Sequence, residues 1–115
     1  MRIVLLRDEC GSGRTCPNIN STDRDSYVVQ GYIVTPEQGL EPGKAVVEIP
    51  LALLPELASA APRDGLMLSG RGTVLVSGTQ VSDPGVLAEL NMPAGENAVE
   101  VARTALPELA VADAG

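Results

Sequence analysis

Val47-Glu48-Ile49, followed by Leu54-Pro55-Glu56-Leu57-Ala58, recurs as Val99-Glu100-Val101, followed by Leu106-Pro107-Glu108-Leu109-Ala110. A glycine stands four residues before each valine, Gly43 and Gly95, so residues 43–58 match residues 95–110 at a constant offset of 52. Upstream, Val29-Gln30-Gly31 pairs with Val76-Ser77-Gly78, and Val34-Thr35 with Val81-Ser82, at an offset of 47. The second copy therefore holds five extra residues between its strand-like segments. A duplicated unit of this kind folds as two halves about a pseudo-twofold axis, and two copies are too few for a solenoid. The expectation is a mainly β fold with short helices (α+β): an internally duplicated, two-half small barrel or sandwich.

Working outward, Ile3-Val4-Leu5-Leu6 reads as a buried strand. Residues 8–25 are rich in Gly, Ser, Thr, Asn, Asp and Pro and read as one long loop, a length that often carries function. Strands are expected over 26–34, 45–49, 73–81 and 98–101. Gly31 and Gly78 inside two of them signal a bulge or a close backbone approach. Asp83-Pro84 is a cap followed by proline at the first helical position, which predicts a helix over 84–90. Further short helices are expected from Leu54 and over 107–112. The chain is read as one domain over 1–115, comprising a strand and long loop (1–26), repeat one (27–61), a connector (62–72) and repeat two (73–112).

An apolar content of 44% across 115 residues supports one modest core. With no Phe, Trp or His, and Tyr27 and Tyr32 as the only aromatics, that core is aliphatic. No apolar run approaches the ~20 residues that span a bilayer, and the run after Met1 is too short for a signal peptide, so the chain reads as cytoplasmic with no membrane partner. Four arginines (Arg2, Arg7, Arg14, Arg24) balance four acids in residues 1–26, which leaves the whole net charge of −7 in the repeats. Such a body lacks the footprint for phosphate, and generic nucleic acid is not expected as a partner.

Residues 73–101 resemble the swapped-hairpin unit of the AbrB/MazE-like regulators. The order there is Val74-Leu75-Val76-Ser77-Gly78, the strand to Asp83, the helix Val86 to Leu90, and Gly95-Glu96 turning into Ala98-Val99-Glu100-Val101. That family has a Gly-Asp box at the last turn, where this chain has Gly95-Glu96 and Gly43-Lys44. The resemblance implies a cradle-loop barrel of two fused halves. Residues 9–58 (Glu9-Cys10, Cys16-Pro17, Thr22-Asp23-Arg24, Val28-Val29-Gln30-Gly31-Tyr32) are similar to uncharacterised short proteins of high-GC Gram-positive bacteria that accompany helix-turn-helix regulators. That likeness assigns no activity.

Cys10 and Cys16 read as a disulfide, as two ordinary thiols of a reducing cytosol, as a thiol switch, or as half of a zinc site shared with a second subunit. No metal or other cofactor is expected. Gly11-Ser12-Gly13-Arg14-Thr15 lacks the first glycine and the lysine of a phosphate-binding loop. Thr22-Asp23-Arg24-Asp25 is either a turn or a clamp of charge-assisted hydrogen bonds. Glu48 and Glu100 occupy equivalent strand positions, facing solvent or meeting as a pair. Nothing points to catalysis, since general acid–base work usually recruits His. The leading expectation is a non-enzymatic interaction or regulatory module acting through a protein partner, with Cys10, Arg14, Cys16, Asp23 and Arg24 as candidate contact residues. An AbrB-like DNA-binding regulator or antitoxin, and an accessory enzyme or small-ligand-binding barrel, are the alternatives, and a homodimer is compatible with each.

Overall fold

The computed structural model describes residues 2–8, 16–34, 42–55, 65–92 and 94–106. Its strands are β1 (Ile3–Asp8), β2 (Asn18–Thr22), β3 (Ser26–Ile33), β4 (Lys44–Pro50), β5 (Leu66–Leu68), β6 (Thr73–Gln80) and β7 (Glu96–Ala102), with a helix α1 (Pro84–Leu90) between β6 and β7. All pairings are antiparallel, and all belong to a 7-stranded sheet. Four of the strands close on themselves: β3 pairs with β7 and β4, and β6 pairs with β4 and β7. The result is a small closed barrel.

The duplication is written into the register. Tyr27↔Val101 and Val29↔Val99 in the β3–β7 pair become Ile49↔Val74 and Val47↔Val76 in the β4–β6 pair under the offsets of 47 and 52. The short closing contacts match as well, Tyr32↔Glu48 with Thr79↔Glu100. So do the backbone bonds that pin them, Ile33 N to Gly95 O at 2.9 Å and Gln80 N to Gly43 O at 2.8 Å. Val47 and Val99 therefore hold equivalent places in two interlocked halves. A Cβ on Gly31 would lie 2.5 Å from Glu48 O, and one on Gly78 2.7 Å from Glu100 O. The two in-strand glycines are the close approaches that let β3 cross β4 and β6 cross β7.

Alternation along the strands fills the interior with side chains from both halves, β-branched and aliphatic but for Tyr27. Tyr27, Val29, Val47 and Ile49 meet Val74, Val76, Val99 and Val101 there, and Leu54 and Leu106 close the ends. The outer face of β3 and β7 has a second, smaller core. Helix α1 lays Val86 and Leu90 over Val28, Ala98, Ile3 and Val81. Asp83 caps it, accepting from Gly85 N at 2.9 Å and Val86 N at 3.3 Å, and Asn91 ends it in the left-handed region at φ 50°.

Two expectations need correction. The long loop over residues 8–25 contains β2, which pairs Asn18 through Ser21 with Gln30 through Tyr27. Its apolar content is too low to read as a strand because Asn18 and Asn20 are buried through hydrogen bonds instead. The connector over 62–72 contains β5, whose pairing Leu66↔Val76 reproduces Ile19↔Val29. The repeated unit is thus three strands, β2–β3–β4 and β5–β6–β7, with β1 outside it. The turns after β4 and β7 are 3-10 turns at Leu51–Leu53 and Arg103–Ala105, earlier than the expected helices. Residues 56–60 and 107–112, where most of those helices were expected, lie outside the described residues.

Candidate functional site

The hairpin turns that lead into β3 and β6 carry the same three polar side chains: Thr22, Arg24 and Ser26 in one, Ser69, Arg71 and Thr73 in the other. In each, the first hydroxyl accepts from the arginine's own backbone N–H, at 3.0 Å for Thr22 and 2.9 Å for Ser69. The last hydroxyl donates to a glutamate of the opposite half. Ser26 Oγ lies 2.5 Å from Glu100 Oε2, and Thr73 Oγ1 lies 2.5 Å from Glu48 Oε2. The arginines complete the clusters, with Arg24 Nη2 donating to Glu100 Oε1 and Arg71 Nη2 to Glu48 Oε2 at 2.8 Å. Glu48 and Glu100 do not form an acid–base pair. Each is held by an Arg and a hydroxyl, and together they tie turn to strand across the halves.

The Thr73 hydroxyl holds Glu48 below its ordinary value of 4.5, against a smaller opposing effect of burial, with Arg71 adding to the lowering. Burial is the largest influence on Glu100 and pushes it up, but the Ser26 hydroxyl and Arg24 together outweigh it and hold it low as well. Lowered carboxylates stabilise the fold above the unfolded-state value, and that contribution is lost as pH falls through the folded-state value. Stability is therefore expected to drop from about pH 5 towards pH 3. Solvent screens both exposed arginines, so the effect is modest, about 1 kcal/mol or less per cluster. Urea unfolding of Glu48→Gln with Glu100→Gln should show a flatter pH slope over that range, and an unchanged slope would refute this origin.

On the outer face of β2 and β3 lies a buried polar network. Asn18 Nδ2 donates to Cys16 O at 2.8 Å and to Gln30 Oε1 at 3.1 Å, Asn20 Nδ2 donates to Asn18 Oδ1 at 2.7 Å, and Gln30 Nε2 donates to Glu96 Oε1 at 2.8 Å. Asn18, Asn20 and Gln30 are fully buried. Among the described residues, every buried side-chain nitrogen and oxygen has a partner, so the network is saturated and presents nothing to a ligand.

The equivalent outer face of the other half is built differently. Asn20 is replaced by Met67, Val28 by Leu75, Gln30 by Ser77 and Ala98 by Val46 at the offsets of 47 and 52. Val34, Val46, Leu66, Met67 and Leu75 line an open groove of ≈ 280 Å³ there. Met67 and Leu68 are 64% and 53% exposed, and Ile33, beside Val34 in the chain, is 55% exposed. Among the described residues, no charged side chain lines the groove. A second cleft, of ≈ 480 Å³, is polar and runs past Arg24, Glu100 and Asp83, whose charged groups are already engaged in the ion cluster and the helix cap.

The residues singled out in the sequence are spread over several places. Cys16 is disulfide-bonded and its carbonyl is held by Asn18, while Cys10 and Arg14 lie outside the described residues. Asp23 and Arg24 sit together in the β2–β3 turn, where Asp23 Oδ1 accepts from Arg2 N at 3.1 Å and Arg24 is committed to Glu100. Arg7 donates to Leu53 O at 2.8 Å. Arg7 and Arg24 thus serve internal contacts. The groove and the Thr/Ser-x-Arg-x-Ser/Thr turns escaped the sequence reading. The turns had a signal, since Thr22, Arg24 and Ser26 extend the offset of 47 to Ser69, Arg71 and Thr73. Among the described residues no helix is long and apolar enough to cross a membrane. No protein-family model, curated protein or solved structure matches the chain.

Proposed function

We propose that this protein is a non-enzymatic interaction module that acts by binding a protein partner. The observation that supports this reading is the apolar groove beside β5, which among the described residues is lined by no charged side chain and has Met67 64% exposed at its wall. Contiguous exposed apolar surface on a small domain marks an interaction site more often than chance. The other readings find less to stand on. The barrel interior is filled by side chains rather than shaped as a ligand cavity. Arg7 and Arg24, which a DNA-binding face would need, are engaged within the fold. The segment bearing Cys10 and Cys16 is a candidate second contact of the same partner.

The test is affinity capture from the source cells with tagged wild type and with Val34→Asp and Met67→Lys, read by quantitative mass spectrometry. A stoichiometric partner reduced at least tenfold by either substitution is expected. Two results would refute the reading: no partner retained by wild type, or a partner retained equally by both variants.

A further inference from the structure

The duplication shows the same sheet edge in two states. β2 and β5 are equivalent strands, each joined by one edge to the long strand that follows it. The other edge of β2 carries β1, with Ile3 opposite Thr22 and Leu5 opposite Asn20. The other edge of β5 pairs with no described strand. The adjoining faces differ in the same way. Ile3 from β1 and Val86 and Leu90 from α1 seal Val28 and Ala98 completely, whereas their equivalents Leu75 and Val46 line the open groove.

Natural sheets protect a free edge with charge, proline or a bulge. β5 carries no charge, proline or bulge, and its length of three residues, Leu66-Met67-Leu68 in unbroken register with β6, is the one such device it has.

We propose that β5 accepts an extended segment of a partner protein as an added antiparallel strand, in the place that β1 takes on β2, with its alternate apolar side chains seated in the groove and basic residues flanking them. This rests on the interaction-module reading and specifies its mode. Backbone bonding to the edge supplies affinity, and side chains at alternate positions supply specificity. Carried over from β1, the two seated residues stand opposite Met67 and Ser69, the equivalents of Asn20 and Thr22. They are apolar because, among the described residues, Ser77 alone brings a polar side chain to the groove. Charge sets the flanks. The chain carries −7, so basic residues at the ends of the added strand are attracted and acidic ones repelled. β1 has this composition, Arg2-Ile3-Val4-Leu5-Leu6-Arg7. A second copy is disfavoured as occupant: its β1 is already paired, and it would bring −7 against −7.

The probe is a capped peptide, Arg-Ile-Val-Leu-Leu-Arg, with a control in which proline replaces the third residue and cannot complete the ladder. Amide chemical shifts of the full-length protein are followed during titration, with fluorescence anisotropy on a labelled peptide. Expected are saturable shifts centred on Leu66, Met67 and Leu68, with Val46 and Leu75 responding, and binding at least tenfold weaker for the proline peptide. Met67→Lys, at an exposed position that leaves the core untouched, should weaken binding at least tenfold with an unchanged circular dichroism spectrum. Absence of binding at millimolar peptide overturns strand addition, even where capture through Val34 and Met67 has upheld a protein partner by another mode. Shifts confined to other strands overturn it too, as does dimerisation abolished by Met67→Lys, which would make the occupant a second copy.

Discussion

Gly31→Ala and Gly78→Ala are each expected to destabilise the protein by about 3 kcal/mol or more, and the double variant to leave no cooperative thermal transition. The cause is the crossing of strands, since a Cβ on Gly31 falls 2.5 Å from Glu48 O and 2.8 Å from Ile49 Cγ2. A Cβ on Gly78 falls 2.7 Å from Glu100 O and 2.8 Å from Val101 Cγ1. The obstacle in both is backbone of the closing strand, which cannot rotate aside as a flexible side chain could. Relief requires β3 to part from β4, or β6 from β7, and those two contacts close the barrel. Gly43→Ala supplies the contrast. Its added methyl meets nothing within 4 Å, but its φ of +81° strains an L-residue. A loss of only about 1–2 kcal/mol is expected there. Equal melting temperatures for Gly31→Ala and Gly43→Ala would show that the closing contacts do not hold the barrel.

The two glycines also show what in this fold was open to reading from sequence. Gly31 and Gly78 fall at matching places in matching strands, and the offsets alone imply a common structural demand. The helix was equally legible, because Asp83-Pro84 satisfies the first turn and Val86 with Leu90 sets a face. What escaped were the first strands of the two repeat units, β2 and β5, and the reason is physical. A strand announces itself by burying apolar residues on one face, yet β2 buries Asn18 and Asn20 through hydrogen bonds. β5 has only three residues and leaves Met67 and Leu68 exposed. The two strands also share no residue identity at the offset of 47, because one half is sealed by a polar network and the other is open. That divergence hid the repeat unit's first strand and the groove together. The Arg24 and Arg71 clusters were hidden differently. Their glutamates come from the other half of the chain, so only the interlocked topology brings them within reach.

Asn18→Ala is expected to cost about 2–4 kcal/mol, a large effect for removing one polar side chain. Asn18 is fully buried and stands between three groups, donating to Cys16 O and Gln30 Oε1 and accepting from Asn20 Nδ2. Truncation takes a partner from each where water has no ready access, and an unsatisfied buried group costs about 1–3 kcal/mol. Pairwise coupling should be visible in a double-mutant cycle, in which Asn18→Ala with Gln30→Ala costs about 1 kcal/mol or more less than the sum of the two single changes. The network also reaches outward. Through the Cys16 carbonyl it anchors the entry to β2, and through Gln30 to Glu96 it ties β3 to the start of β7. Asn18→Ala should therefore raise amide hydrogen exchange at Cys16, Ile19 and Gln30, while Leu66, Met67 and Leu68 on the other half keep their wild-type rates. If exchange rises equally in both halves, the network supports the whole barrel; if stability is unchanged within 0.5 kcal/mol, close to the scatter of ordinary surface substitutions, the buried amides exchange their partners for water at no cost, and the sealing of this face rests on Val28, Ala98 and α1 alone.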